Sequence, residues 1–389
     1  MCDVNYKNHQ NRHITKKNLK ILNSKEEVRD CFLESTMELC LLKGELNHIV
    51  SDDSKRAIEL IMVERIVRDI LLSNERLFFV STSRYGEKYF DCEKPGHGII
   101  TAIEQHDLDG ILSSFPIHEF HPYAKLFIDT VKDKQVSAKE MLSMRIFDEK
   151  IQVGCVNMLN GFVDKIRKDA LVQEIEKKKN NHERLANKNY SSLVKYVNAL
   201  FKKFSRMLVV RVDFGYRKDS DIVNNNDMSA KYLKAKKDFE HMFNNRRGNK
   251  IFDHMVGYAA KIEHGLMKGF HLHAILFFGP ERQRDVNIAT RIGEYWVKVI
   301  TKGEGVYFNC NAKKQSYKHL GIGKINHNDI DLRENLETRV CAYLTKPDFY
   351  AKIIAHDDGR TFFRGKMPKP KITKVGRPRK GGSQTCKPK

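Results

Sequence analysis

The run Phe270-His271-Leu272-His273-Ala274-Ile275-Leu276-Phe277-Phe278 sets two imidazoles one residue apart in an otherwise apolar stretch. On a β-strand, alternate side chains share a face, so His271 and His273 point the same way and can hold one ion between them. A buried imidazole needs a polar partner, which makes the apolar setting more informative than the spacing. The plainer reading is a pair of core histidines bonded to backbone. A third ligand follows from hairpin geometry. His254 to Glu263 and Phe270 to Phe278 both read as strands, joined by a loop containing Gly265 and Gly269. If this hairpin closes around Met267, Glu263 faces His271 with Cβ atoms ~5 Å apart. Two imidazoles and one carboxylate on one face suit Mg²⁺ or Mn²⁺ with open water positions, and could also take Zn²⁺ or Fe²⁺. His264 points to the opposite face. Asp213, on an earlier strand, is a candidate additional ligand, although an acid at a strand edge is more often structural or solvated.

What such a metal would polarise is suggested by charge. The 389 residues carry 70 Lys and Arg against 49 Asp and Glu, a net charge of +21. That excess favours a polyanionic partner, and nucleic acid is the commonest. The eight cysteines are scattered without a Cys-x-x-Cys pair, which argues against a zinc finger or a disulfide framework and for a reducing compartment. Met1 to Lys20 is polar and basic, without the apolar centre of a signal peptide. No apolar run approaches the ~18 residues of a membrane span. A soluble protein of the cytoplasm is expected.

A metal beside a DNA phosphate needs a nucleophile. Water would make a hydrolase, whereas a tyrosine would form a phosphotyrosine and conserve the bond energy. Tyr343-Leu344-Thr345-Lys346 sets Tyr343 and Lys346 on one face of a helix, where the lysine or the ion could favour the phenolate. The same Tyr-x-x-Lys spacing occurs at Tyr85, Tyr258 and Tyr295. Tyr258 lies on the strand leading to Glu263 and reads as structural. Tyr295, beside Trp296 on a helix, is the rival. Spacing alone leaves Tyr343 and Tyr295 both open.

The elements that must position these residues fall in two halves. From Glu26 to Leu72 apolar residues recur at helical spacing, which predicts two or three helices. Ser81 to Gly98 is turn-rich, and residues 99 to 160 read as short helices. His118 and His121, flanked by Pro116 and Pro122, read as a surface loop. Asp164 to Arg206 reads as one long helix with a charged, solvated middle, ending in the apolar stripe Leu193, Val197, Leu200, Phe201 and Phe204. The second half begins with a strand, Met207 to Phe214. A helix (Ser229 to Phe243), the hairpin, a helix (Val286 to Ile300), a strand (Gly305 to Asn311) and a helix (Leu332 to Leu344) follow. This order predicts an α+β fold with an antiparallel sheet. The expected organisation is a helical N-terminal domain with its connector helix over 1–190, a second domain over 191–365, and a basic disordered tail over 366–389. Within the tail, Gly376-Arg377-Pro378-Arg379 looks like the core of an AT-hook. Arg377, Arg379 and Lys380 are candidate DNA contacts, with non-specific phosphate binding the plainer reading.

Phe270 to Phe277 followed by Tyr343-Leu344-Thr345-Lys346 resembles the HUH endonucleases that start rolling-circle replication. More narrowly, the segment from about Met207 to Gly365 resembles the inovirus gene-two-like replication proteins, the YagK/YfjJ C-terminal domain family. VVRVDF, KIEHGLMKGFHLHAILFF, AYLTKPD and GRTFFRG carry the likeness. The resemblance implies a five-stranded antiparallel sheet flanked by helices, with the metal site on its central strands. It implies metal ligation by His271, His273 and Glu263, nicking by Tyr343 and assistance from Lys346. It also implies a prophage element replicating in a bacterial cytoplasm, origin and single-stranded DNA as partners, and a host helicase to unwind. Pro347, directly after Lys346, departs from a continuous helix. Two other readings compete. One is a DNA-binding regulator with an inactive site. The other is a mononuclear Fe²⁺ enzyme, which explains neither the charge nor Tyr343.

Overall fold

A strand that is apolar on both faces must be covered on both, and the segment Gly269–Phe278 dictates the fold of the second half in that way. The computed structural model describes residues 38–42, 45–49, 52–115, 117–134, 148–217, 227–265, 269–345, 350–353 and 360–369. In chain order the strands are β1 (Glu38–Leu42), β2 (Glu45–Ile49), β3 (Phe78–Thr82), β4 (Lys88–Cys92), β5 (His118–Phe120), β6 (Arg206–Tyr216), β7 (Met255–Gly265), β8 (Gly269–Phe278), β9 (Gly305–Asn309), β10 (Gly323–Asn326), β11 (Ala351–Ile353) and β12 (Phe362–Arg364). The α-helices are α1 (Asp52–Leu71), α2 (Lys94–Gln105), α3 (Leu108–Ser114), α4 (Pro122–Lys134), α5 (Glu149–Val172), α6 (Ile175–Lys203), α7 (Met228–Asn244), α8 (Asp285–Tyr295), α9 (Ile330–Asn335) and α10 (Cys341–Tyr343).

The fold is mixed α+β, and its largest sheet is antiparallel, as expected. That sheet has six strands rather than five, in the order β10-β6-β8-β7-β12 with β9 also on β6. The extra strand has a simple origin. β6 spans 11 residues, so its outer edge accommodates two short strands end to end. β10 pairs with Arg206 to Val209 and β9 with Val212 to Tyr216. β8 is central, flanked by β6 and β7.

Alternation along β8 sorts the core into two layers. Phe270, Leu272, Ala274, Leu276 and Phe278 pack with α7, α8 and the buried Trp296. Ile275 and Phe277 face the other way, onto Tyr190 to Phe201 of α6 and the segment Leu336 to Leu344. His271 and His273 share that second face. The Tyr196 side chain crosses this layer with its hydroxyl wedged between two glycines. A Cβ on Gly257 or Gly365 would come within 2.5 Å or 2.4 Å of the Tyr196 Oη.

The first half has its own core, drawn from α1 to α5 with Ile175, and it takes in Tyr350 and Ala351 from far along the chain. β11 pairs with β5, so the chain after Tyr343 crosses to the first half before β12 returns to pair with β7.

Several expectations need correction. Helices do not run throughout Glu26 to Leu72. β1 and β2 pair as antiparallel strands on either side of residues 43–44, and among the described residues of that stretch α1 is the helix. The turn-rich segment holds the β3–β4 hairpin, which turns through Gly86 at φ +81°. The expected helix over Asp164 to Arg206 is broken at Gln173–Glu174, where Glu174 adopts a left-handed φ of 48°. Its charged middle is not wholly solvated, since His182 and Ala186 are buried. His118 and His121 do not form a surface loop: His118 lies in β5 and the His121 side chain is fully buried. α8 runs on into a π-helical turn over Trp296–Ile300, and the expected Leu332 to Leu344 helix is interrupted by one over Leu336–Val340 between α9 and α10. Among the described residues no helix is long and apolar enough to cross a membrane.

Trp296 is the only tryptophan of the chain and is fully buried in the sheet's first layer, so its fluorescence reports on this sheet. Phe277→Ala is expected to cost about 3–5 kcal/mol by emptying a fully buried position. A urea titration followed by Trp296 emission should show the midpoint move down with little change in slope.

Candidate metal centre

The β7–β8 ladder places Glu263 opposite His271 and Lys261 opposite His273. The first pairing is the one expected from the sequence. On the other side of β8, Asp213 of β6 stands opposite His273. The side chains of Glu263, His271 and His273 converge, each offering a ligand atom within 4.8 Å of the other two. Glu263 Oε2 lies 3.3 Å from His273 Nε2 and 3.7 Å from His271 Nε2. Metal bonds of ~2.0–2.2 Å would set neighbouring ligand atoms about 3.0–3.5 Å apart, so small side-chain rotations suffice to seat an ion. The three are buried, at 8%, 6% and 3% exposure respectively.

Each histidine is held by its other ring nitrogen. His271 Nδ1 is 3.0 Å from the Gly269 carbonyl, so donation there turns the Nε2 lone pair toward Glu263. His273 Nδ1 is 2.8 Å from Asp213 Oδ1. A carboxylate behind a ligating imidazole fixes its tautomer and raises its basicity. Asp213 therefore orients His273 from behind rather than joining the ligand set. Glu263 Oε1 is buried and receives no hydrogen bond among the described residues. A buried carboxylate oxygen without a donor is costly, and a cation between the imidazoles would relieve that cost. The residues therefore fit a divalent metal.

The electrostatics agree. Burial alone would raise the Glu263 carboxyl, but His273 and His271 outweigh it and hold the group far below the usual carboxylate range. Burial likewise opposes ionisation of Asp213, and Arg211 and His273 override it. Burial lowers His273, yet Asp213 and Glu263 push it up to about 9. The metal-free site is thus an imidazolium between two carboxylates.

Tyr343 completes the group. Its Oη is 3.4 Å from His273 Nε2, with ring centroids 4.9 Å apart at 81°. The Arg211 guanidinium carbon lies 4.1 Å from the Tyr343 ring centroid, and the same guanidinium bonds both Asp213 oxygens at 3.3–3.4 Å. Arg211, Asp213, His273 and Tyr343 form a closed ring of contacts. Burial raises the phenol well above its ordinary value; Arg211 opposes this, while Asp213 and Glu263 add to it.

Geometry distinguishes the tyrosines that spacing left open. Tyr295 packs on the opposite face of the sheet, against Phe252, with its Oη 3.3 Å from Asn245 Nδ2. Tyr258 stacks on Phe243 on that same side. Tyr85 is exposed, and Tyr350 is buried in the first half's core. Lys346, Pro347, Arg377, Arg379 and Lys380 lie outside the described residues. His264 faces away from the triad, onto Phe270, with its ring 5.9 Å from that of His118.

Two neighbours escaped sequence reasoning. Arg211 precedes Asp213 by two residues in an otherwise apolar strand, so its place on the acid's face was legible. Lys261, two residues before Glu263, is buried with Nζ 3.0 Å from Thr361 Oγ1. A charged residue at an even offset in a buried strand was the available signal for both.

The site and fold together define an α+β protein with a buried two-histidine, one-carboxylate centre on an antiparallel sheet. Residues 169–363 match the YagK/YfjJ C-terminal domain, and the chain belongs to that family. The match reaches back into the end of α5 and takes in all of α6, beyond the likeness read from Met207 onward. No curated protein and no solved structure matches the chain.

Metal binding must displace the proton that His273 holds up to about pH 9, so Mn²⁺ affinity should rise about tenfold per pH unit below that value and then level off. Calorimetry at pH 7.5 in buffers of different ionisation enthalpy should register about one proton released per ion. Asp213→Asn should weaken Mn²⁺ binding about 10–100-fold. In the metal-free protein the raised His273 stabilises fully below its ordinary value of 6.5, and that contribution fades as pH rises toward 9. The lowered carboxylates stabilise above their ordinary range and lose that contribution as pH falls. Metal-free stability should therefore peak in mildly acidic solution, which thermal melts across pH would reveal.

Proposed function

We propose that this protein is a rolling-circle replication initiator that nicks and rejoins single-stranded origin DNA through a 5′-phosphotyrosine. The observation that carries the reading is the placement of Tyr343 Oη 3.4 Å from His273 Nε2, on the face of the sheet that presents the triad. Net charge of +21 and the likeness to HUH endonucleases and inovirus gene-two-like proteins add to it. A divalent cation, Mg²⁺ or Mn²⁺, held by His271, His273 and Glu263, would supply positive charge beside the scissile phosphate.

The remaining roles belong to the chain. Tyr343 Oη attacks phosphorus, the bond to the 3′-oxygen breaks, and the phenolic proton is replaced on that oxygen, leaving a free 3′-hydroxyl. One phosphodiester is exchanged for another, so the reverse attack rejoins the strand. Arg211, lying over the ring, favours the phenolate and the charge that develops as it attacks. Asp213 keeps His273 turned toward the site. Lys346 is proposed as a further cation near the phosphate. The basic tail with Arg377, Arg379 and Lys380 adds affinity for the backbone, and the strand opening required upstream falls to a host helicase in a bacterial cytoplasm.

Incubation with single-stranded origin DNA and Mn²⁺, followed by a denaturing gel, should show a protein–DNA adduct. Tyr343→Phe should abolish it and Tyr295→Phe should leave it. Loss with Tyr295→Phe alone would overturn the assignment of the nucleophile. Cleavage without an adduct would point to water, and binding without cleavage to a regulator.

A further inference from the structure

Between Glu304 and Asp329 the chain contains no acidic residue but carries Lys313, Lys314, Lys318 and Lys324. Lys314 is committed to Asp285, at 2.7 Å. Lys313, Lys318 and Lys324 are exposed and make no ion pair with an acid among the described residues. Unopposed charge of one sign on a surface segment sets up a local field for an anion.

This segment is rooted beside the candidate metal centre at its start and against the segment that leads to Tyr343 farther along. At its start, buried Asn311 accepts the Arg211 backbone N–H at 2.8 Å and donates to the Val209 carbonyl and Asp285 at 3.0 Å each. Tyr317 packs against the buried cluster that contains Cys310 and Tyr343. Arg211 and Asp213 are the pair that touches Tyr343 and His273. At the far end, the Leu320 carbonyl accepts from Asn335 Nδ2 at 3.0 Å. Gly321 lies so close to Leu336 that an added Cβ would come within 2.6 Å of its backbone nitrogen. Leu336 opens the turn that leads to Tyr343. The lysines are therefore carried on a segment pinned next to the nucleophile's helix and to the strand behind it.

We propose that residues 310–320 form the rim along which a single DNA strand approaches the metal centre, its phosphates neutralised by Lys313 and Lys318; Lys324, paired with Leu208, lies on the other face of the sheet. The inference rests on the nicking reading for the identity of the strand. A single strand suits the site better than a duplex. The triad and Tyr343 are buried, so a scissile phosphate must come down to them on a backbone free to bend.

The test uses the full chain with Lys313→Glu and Lys318→Glu combined. Fluorescence anisotropy with a single-stranded oligonucleotide should show affinity reduced about tenfold near 100 mM salt, with the log–log salt slope flattened by about 1.4, from ~0.7 per phosphate contact. Mn²⁺ binding should be unchanged, which verifies that the fold and centre survive. Unchanged affinity and slope would overturn the proposal, and so would a loss confined to duplex DNA. The adduct assay separates this from the nicking reading. If wild type forms no adduct but the variant loses single-strand affinity, the rim stands and the nicking reading falls. If wild type forms the adduct and the variant binds as well as wild type, the rim falls alone.

Discussion

Everything at this centre depends on ion pairing across one buried strand. β8 is covered on both faces and flanked on both edges, so a charged imidazole there has no access to bulk water. Its neighbours supply the counter-charges through the ladder itself: Asp213 from β6 and Glu263 from β7, on the same face. Burying such a set costs several kcal/mol per ion, and the mutual attraction repays it only with good geometry and additional hydrogen bonds. Here the geometry is fixed by backbone register rather than by flexible side chains. Sliding either neighbour by one residue would turn its acid to the other face. The sheet therefore cannot be rearranged locally without leaving a charge unpaired, and replacing the His273 proton that faces Glu263 by a divalent ion leaves the same framework intact.

The legible part of this arrangement was the part set by period and register. Two histidines in a strand must share a face, and the glycine-flanked hairpin has few ways to close, so Glu263 came out opposite His271. Asp213 was visible as an acid in an apolar strand, but its target depended on which strand lies beside β8, a long-range pairing that no local pattern reveals. The same limit explains the sixth strand. Gly323–Asn326 is a four-residue strand that completes an edge of β6, and its sequence carries no alternation strong enough to announce it. The hairpin at residues 78–92 was hidden differently, because its polar outer positions and Gly86 mimic a loop. His118 and His121 looked solvated between two prolines, yet β11, arriving from more than 200 residues later, buries that stretch.

The path of the chain after Tyr343 ties the two halves of the molecule to the same chemistry. Tyr343 belongs to the sheet's second layer, whereas Tyr350 and Ala351 belong to the core of the first half. Only six residues separate Tyr343 from Tyr350 in the sequence, so the two cores are joined by a short stretch of chain. β12 then returns to the outer edge of β7, pairing Phe362 with Lys261 two residues from Glu263. The strand that carries Glu263 is thereby paired with chain that follows Tyr343 in the sequence. The first half, with no motif of its own, is joined through the β5–β11 pairing to the chain that carries Tyr343. Tyr350 and Ala351 are held in that first core, and the phenol that precedes them in the chain lies 3.4 Å from the His273 imidazole.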